Sequence, residues 1–257
     1  RRPQDDSSRS NFELVIIRDM KLADLATPAF LVARETVARN CDAMLRKAKE
    51  SDVVFRPHVK THKTLEIGRM QHGGSIGPIT VSTLGEAEFF AEGGFQDIAY
   101  AVPIAPQKLA RCAALARRID RFAILIDHAE ALEAVEGFAR AEGVVFDAYL
   151  KIDCGYHRAG VDPESDAALD LARRGSASRF IRFAGLLTHA GHAYHARNRE
   201  EIAVVATEET GALTRFSERM RAAGLEPGLR SIGSTPTASV VERFADCDEV
   251  RPGNYVF

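Results

Sequence analysis

The residues best equipped for chemistry stand together between Val53 and Thr64, VVFRPHVKTHKT, where two histidines and two lysines follow a short apolar run. Such a run reads as a buried strand that ends at a site. Alternation along a strand places Val54, Arg56, His58 and Lys60 on one side, and Val53, Phe55 and Val59 on the other. A lysine at the end of a buried strand is desolvated, which lowers its pKa, and a neutral amine can attack a carbonyl carbon. Lys60 is therefore a candidate for Schiff-base chemistry. Taken alone, the segment reads equally well as a solvated loop in which Lys60 and Lys63 do nothing more than face water.

Positioning such a lysine requires a strand whose end is held in place. The chain has 257 residues, 46% of them hydrophobic and 27% charged, enough for one large core of the size that α/β barrels use. Eight strand candidates follow one another, namely VVF, PITVST, DIAYAV, FAILID, VFDAYLKID, IRFAGLLTH, GLRSIG and EVRPGNYVF, with helical patterns between them. That order predicts a TIM-type (β/α)8 barrel. Val37, Cys41, Leu45 and Ala48 recur at helical spacing, Pro106 opens a helix carrying Leu109, Cys112, Ala116 and Ile119, and Leu132, Val135 and Ala139 mark the next. The longest interval, from Asn198 to Gly224, reads as one helix ended by its glycine. Thr27-Pro28 introduces AFLV, an expected short strand, and residues 1–26 read as a polar tail and lead-in, leaving 27–257 as one barrel domain. The formal charge of -2, with both signs interspersed, argues against nucleic acid as a partner. No apolar run approaches the ~18 residues of a membrane span. Cys41, Cys112, Cys154 and Cys247 lie far apart without a CxxC pair and read as reduced thiols, which points to the cytoplasm.

In such barrels the chemistry lies at the C-terminal ends of the strands. The fifth strand candidate runs into KIDCGYHRAG, where Lys151, His157 and Arg158 stand between glycines; Arg158 reads as an anion clamp or as a salt bridge at the barrel mouth. The sixth ends in LLTHAGHAYH, with His189, His192 and His195 at three-residue spacing, a weak metal signal without a nearby carboxylate or thiolate. His189 is preferred as an acid-base or stacking residue, and His195 as part of a polar loop. The last two strands end in SIGSTPT and RPGNY, where Ser234, Thr235, Gly253 and Asn254 offer small side chains and amides suited to a phosphate.

RPHVKTHKT, KIDCGYHRAGV, THAGHAY, SIGSTPT and EVRPGNYVF, in that order, resemble the D-serine dehydratase and D-threonine aldolase family, pyridoxal phosphate enzymes that share their barrel with alanine racemase. The resemblance covers the chain from about Thr27 onward. It implies Lys60 as the lysine that holds the cofactor and then serves as base, Arg158 beside the cofactor's phenolic oxygen and the substrate carboxylate, and His189 against the cofactor. It implies Arg251 facing the pyridine nitrogen, with a barrel salt bridge as its alternative, and counts Tyr255 with Ser234, Thr235, Gly253 and Asn254 among cofactor contacts. The implied activity is a lyase acting on small D-3-hydroxy amino acids: D-serine or D-threonine dehydration, or else aldol cleavage releasing glycine. A racemase and a non-catalytic cofactor-binding barrel fit less well. Relatives of this kind carry a further β domain whose histidine and cysteine or aspartate bind a divalent metal, zinc or manganese, and act as homodimers. That domain, its ligands and part of the substrate pocket are expected beyond Phe257, so poor turnover is expected of these 257 residues alone.

Overall fold

Short runs rich in Val, Ile, Phe and Tyr, each followed by an amphipathic segment, leave the chain one economical arrangement, parallel strands joined by covering helices. The computed structural model describes residues 21–257. The strands are β1 (Val54–Phe55), β2 (Ile79–Val81), β3 (Asp97–Pro103), β4 (Arg121–Ile126), β5 (Phe146–Lys151), β6 (Ile181–Leu187), β7 (Leu229–Ile232) and β8 (Glu249–Val250). All pair in parallel, in the spatial order β1-β8-β7-β6-β5-β4-β3-β2. The remaining gap, between β1 and β2, is bridged just past β1, where His58 pairs with Thr80 and the Thr80 N–H donates to Pro57 O at 2.9 Å. The sheet thus closes on itself as a barrel.

The helices are α1 (Arg34–Glu50), α2 (Leu65–Met70), α3 (Leu84–Glu92), α4 (Leu109–Ala116), α5 (Ala129–Glu142), α6 (Asp166–Ala177), α7 (Arg199–Ala222) and α8 (Thr235–Val240). Helix α1 buries Val37, Cys41 and Ala48 as the spacing anticipates, with Met44 buried where Leu45 was expected and Leu45 only partly buried beside it. Helix α7 starts where the Asn198 side chain accepts the Glu201 N–H at 2.8 Å, and ends before Gly224, whose φ of +75° suits glycine. Alternation sends Ile98, Tyr100, Phe122, Ile124 and Leu150 outward into the helix layer, and Ala99, Ala123, Leu125, Tyr149 and Leu187 inward. Between β6 and β7 the backbones approach closely. A Cβ on Gly185, at φ +142°, would stand 2.1 Å from Leu229 O, so no other residue fits there.

Three expectations need correction. AFLV is irregular rather than a strand, because every place in the barrel is taken; Phe30 is exposed and meets Phe257 edge-on at 5.2 Å. The last strand stops at Val250, and Asn254–Val256 forms a 3-10 turn instead. Pro106 opens a 3-10 turn, Pro106–Lys108, that leads into α4. The expected polar tail lies outside the described residues up to position 20, and Leu22–Asp24 forms a 3-10 turn.

Candidate active site

Strand alternation carries Arg56 and His58 to the barrel interior, but it does not place Lys60. After His58 the chain tightens into a 3-10 turn, Val59–Thr61, whose first amide is capped as His58 Nδ1 accepts the Lys60 N–H at 3.4 Å. Lys60 therefore reaches the barrel mouth from a turn and stays partly open to solvent. Lys63, at φ +53°, leans away and pairs with Glu86 at 3.5 Å. His58 Nε2 meets Ser82 Oγ at 3.1 Å, joining the ends of β1 and β2.

Beyond β5, the Asp153 carboxylate organises the loop: it accepts the Gly155 and His157 N–H groups, both at 3.0 Å, and His157 Nδ1 at 2.8 Å. Arg158, exposed, lies over the Tyr156 ring at 4.9 Å and forms no ion pair among the described residues, so the salt bridge weighed for it is not made among them. Lys151 shares the inward face with Tyr149 and is 6% exposed, and its Nζ makes no hydrogen bond or ion pair among the described residues. Beyond β6, His189 Nδ1 donates to Gly233 O, which leaves Nε2 as the acceptor nitrogen. His192 and His195 sit on the 3-10 turn Gly191–His195; the His192 ring stacks at 5.9 Å on Tyr156, and its buried Nδ1 has no partner.

The ends of β7 and β8 are laced together. Thr235 Oγ1 accepts the N–H of Gly253 at 3.1 Å and of Asn254 at 2.8 Å. Asn254 Oδ1 in turn accepts the Thr61 hydroxyl at 2.7 Å, tying these loops to the turn that carries Lys60. Ser234 Oγ caps α8 by accepting the Thr237 N–H at 3.3 Å. Tyr255 is drawn elsewhere. Its ring packs near Phe55 at 6.1 Å, and its buried hydroxyl, without a partner, sits near Gln71 of the α1–α2 side rather than in the mouth.

Beneath this ring of residues the barrel interior is polar. Arg56 donates from Nε to Glu249 at 2.6 Å and from Nη1 and Nη2 to Asp97 at 2.7 and 3.0 Å. Glu249 also accepts Ser231 Oγ at 2.5 Å and Tyr149 OH at 3.3 Å. Arg251, 5% exposed, donates to Ser231 Oγ and to Thr188 O, so its link to Glu249 runs through a hydroxyl and the direct salt bridge weighed for it is not made. A string of charges thus runs from Asp97 at one end of the barrel to Arg251 at the other.

Electrostatics favour uncharged nitrogen at the mouth. Partial burial, then Arg158, lowers the Lys60 pKa from its ordinary value, Glu86 opposing and Arg251 adding to it. Burial takes His189 down to about 3 and His58 well below the usual histidine range, so both are neutral at pH 7. Burial, with smaller help from Arg251 and Arg158, pulls Lys151 to about 8 against the attraction of Cys154 and Glu209. Two groups escaped assignment from sequence: Lys151, seen but given no role, and Glu209. The available signal was a glutamate on the apolar stripe of α7, in step with Ala206, Leu213 and Phe216.

The sequence model of the alanine racemase N-terminal domain matches residues 32–257. The chain belongs to that family. Within it, the chain is 36% identical to the D-serine dehydratase of Dictyostelium discoideum, over 91% of this chain and 63% of that protein. It is 36% identical to the D-threo-3-hydroxyaspartate dehydratase of Delftia sp. (strain HT23), over 92% of this chain and 62% of that protein, and the solved structure of that enzyme superposes with a TM-score of 0.84. The D-threonine aldolase of Filomicrobium marinum, 27% identical over 92% of this chain and 64% of that chain, gives 0.83. The chain spans about three fifths of the length of the curated relatives it matches. An alanine racemase of Clostridium difficile, at 14% identity and a TM-score of 0.70, shares the fold.

Family membership implies pyridoxal phosphate, and the mouth fits it. The Ser234 and Thr235 N–H groups have no acceptor among the described residues, and a Cβ on Gly253 would stand 3.1 Å from both His58 Cβ and His58 O, a close approach that glycine allows without displacing either. An amine of lowered pKa, a neutral imidazole and a buried guanidinium converge on the same end of the barrel. Among the described residues no group of three or more His, Cys, Asp or Glu is placed to hold a metal.

Proposed function

We propose that this protein is a pyridoxal phosphate-dependent lyase that dehydrates small D-3-hydroxy amino acids. The observation that carries this is the placement of Lys60, a lysine of lowered pKa on a turn tied through Thr61 and Asn254 to the unpaired amides after β7. Lys60 would hold the cofactor covalently, Ser234, Thr235 and Gly253 would receive its phosphate, His189 would lie against its ring, and Arg251 would face its pyridine nitrogen. When bound, the cofactor supplies an electron sink for the electron pair left at the substrate Cα.

The chain's own groups do the rest. Arg158, exposed and without a carboxylate partner among the described residues, would orient the substrate carboxylate at the mouth. Lys60 Nζ, made less basic by burial and by Arg158, gives up its own proton more readily than an ordinary lysine and would take the Cα proton. The His189 ring is fixed by its Nδ1 hydrogen on Gly233 O and stays neutral, so it adds no positive charge beside Arg251. The two relatives at 36% identity are both named dehydratases, which supports loss of the β-hydroxyl over cleavage of the Cα–Cβ bond. Four buried free thiols support a reducing compartment, the cytoplasm.

The test is covalent capture. Borohydride treatment in the presence of pyridoxal phosphate, followed by peptide mapping, should label Lys60; Lys60→Ala should abolish the label and Lys63→Ala should keep it. Label on Lys63 or Lys151 in the parent protein would sink the assignment.

A further inference from the structure

The buried carboxylate of Glu209 has no part in the chemistry above, yet it touches the segment that carries Ser234 and Thr235 on both sides, and the loop that carries His189. Glu209, on α7, is fully buried and has no cation within ion-pair distance among the described residues. Its Oε1 accepts the Thr188 hydroxyl at 3.0 Å, the Ala190 N–H at 3.0 Å and the Gly233 N–H at 3.2 Å, while Oε2 accepts the Thr237 hydroxyl at 3.4 Å. These donors belong to the loop after β6, the loop after β7 and α8. The Ala190 and Gly233 N–H groups have no other acceptor among the described residues, and a buried donor left without one costs on the order of 1–3 kcal/mol, whereas the Thr188 and Thr237 hydroxyls can also donate to Ser231 O at 3.4 Å and to Ser234 O at 3.2 Å.

Two consequences bear on the mouth. Thr188 and Ala190 flank His189, so one carboxylate holds the chain on either side of that ring. Gly233 and Thr237 bracket Ser234 and Thr235, so the same carboxylate holds the chain on both sides of those two residues. Thr235 is first in α8, where an N–H has no intrahelical acceptor, and neither its N–H nor that of Ser234 finds an acceptor among the described residues.

We propose that Glu209 is a positioning residue that sets the anion-receiving amides of Ser234 and Thr235 by holding Gly233, Thr237 and the peptides around His189. This rests on the cofactor reading given above. A neutral amide at the same place keeps the volume of the side chain, accepts more weakly, and presents an N–H₂ group to the Thr237 hydroxyl. The effect should therefore fall on the phosphate, not on the ring.

The experiment compares dissociation constants for pyridoxal phosphate and for pyridoxal, which lacks the phosphate, by absorbance titration of the parent protein, Glu209→Gln, Thr237→Val and Thr237→Ser. Glu209→Gln should narrow the preference for the phosphorylated compound by at least about tenfold, with pyridoxal affinity kept. Thr237→Val should narrow it in the same sense and Thr237→Ser should restore it, a comparison that decides the matter if Glu209→Gln does not fold. An unchanged preference in Glu209→Gln, or equal weakening of both compounds, overturns the assignment while leaving the cofactor reading standing. Failure of the parent protein to bind pyridoxal phosphate at all overturns both.

Discussion

Replacing Arg56 by Met would remove the cation at the centre of the barrel while keeping most of the stem's volume. Arg56 is 1% exposed and Glu249 fully buried, so the substitution strands a carboxylate in the interior with only Ser231 Oγ, at 2.5 Å, and Tyr149 OH, at 3.3 Å, for company. Breaking a buried pair by removing one partner costs about 3–5 kcal/mol. At about 2–4 °C per kcal/mol for a domain of this size, the melting temperature should fall by about 6–20 °C. The reverse change, Glu249→Met, leaves Arg56 its two-point contact with Asp97, which is about one-third exposed, so it should cost less, about 1–3 kcal/mol. The double substitution leaves no stranded charge beside Ser231, and it should be less damaging than the sum of the singles by a coupling of about 0.5–3 kcal/mol. Thermal and urea denaturation of the four proteins measure all three quantities. Additive losses, or an Arg56→Met protein melting within about 2 °C of the parent, would refute the account of the interior as one coupled string of charges.

Gly253→Asp places a Cβ 3.1 Å from His58 and a negative charge beside the proposed phosphate position, and should weaken pyridoxal phosphate binding by at least ~1.4 kcal/mol, or tenfold; unchanged affinity in a fluorescence titration counts against that position. Burial holds folded His62 and His72 at about 4 and His189 at about 3, against an ordinary 6.5. The unfolded chain therefore binds more protons over this range, and stability should be full above about pH 6.5 and fall toward pH 4, by about 1.4 kcal/mol per pH unit for each histidine. His62→Gln should flatten that slope by about one proton in pH-dependent urea unfolding, and an unaltered slope would show that His62 is not held neutral.

The order of elements was legible from residue types. Apolar runs of strand length, each followed by a 3.6-residue pattern such as Val37, Cys41 and Ala48, admit few arrangements other than parallel strands wrapped by helices, because both periodicities are local properties of the backbone. AFLV failed for a non-local reason: its composition suits a strand, but a closed barrel offers no edge for it to join.

The mouth divides in the same way. That Lys60, His189, Ser234, Thr235, Gly253 and Asn254 gather there follows from their places after strand-like runs, since a parallel barrel puts all such positions at one end. The sequence could not say that Lys60 leaves the strand through a 3-10 turn, that Tyr255 turns toward α2, or that Arg158 lies on an aromatic ring instead of a carboxylate. Nor could it pair Arg56 with Glu249, 193 residues away. Strand alternation tells which face a side chain takes, and that much is written in the chain. Which partner it meets there depends on the register in which β1 lies against β8, Val54 beside Glu249 and Phe55 beside Val250, and register is decided only when the barrel closes and every inward group must find a counterpart at once.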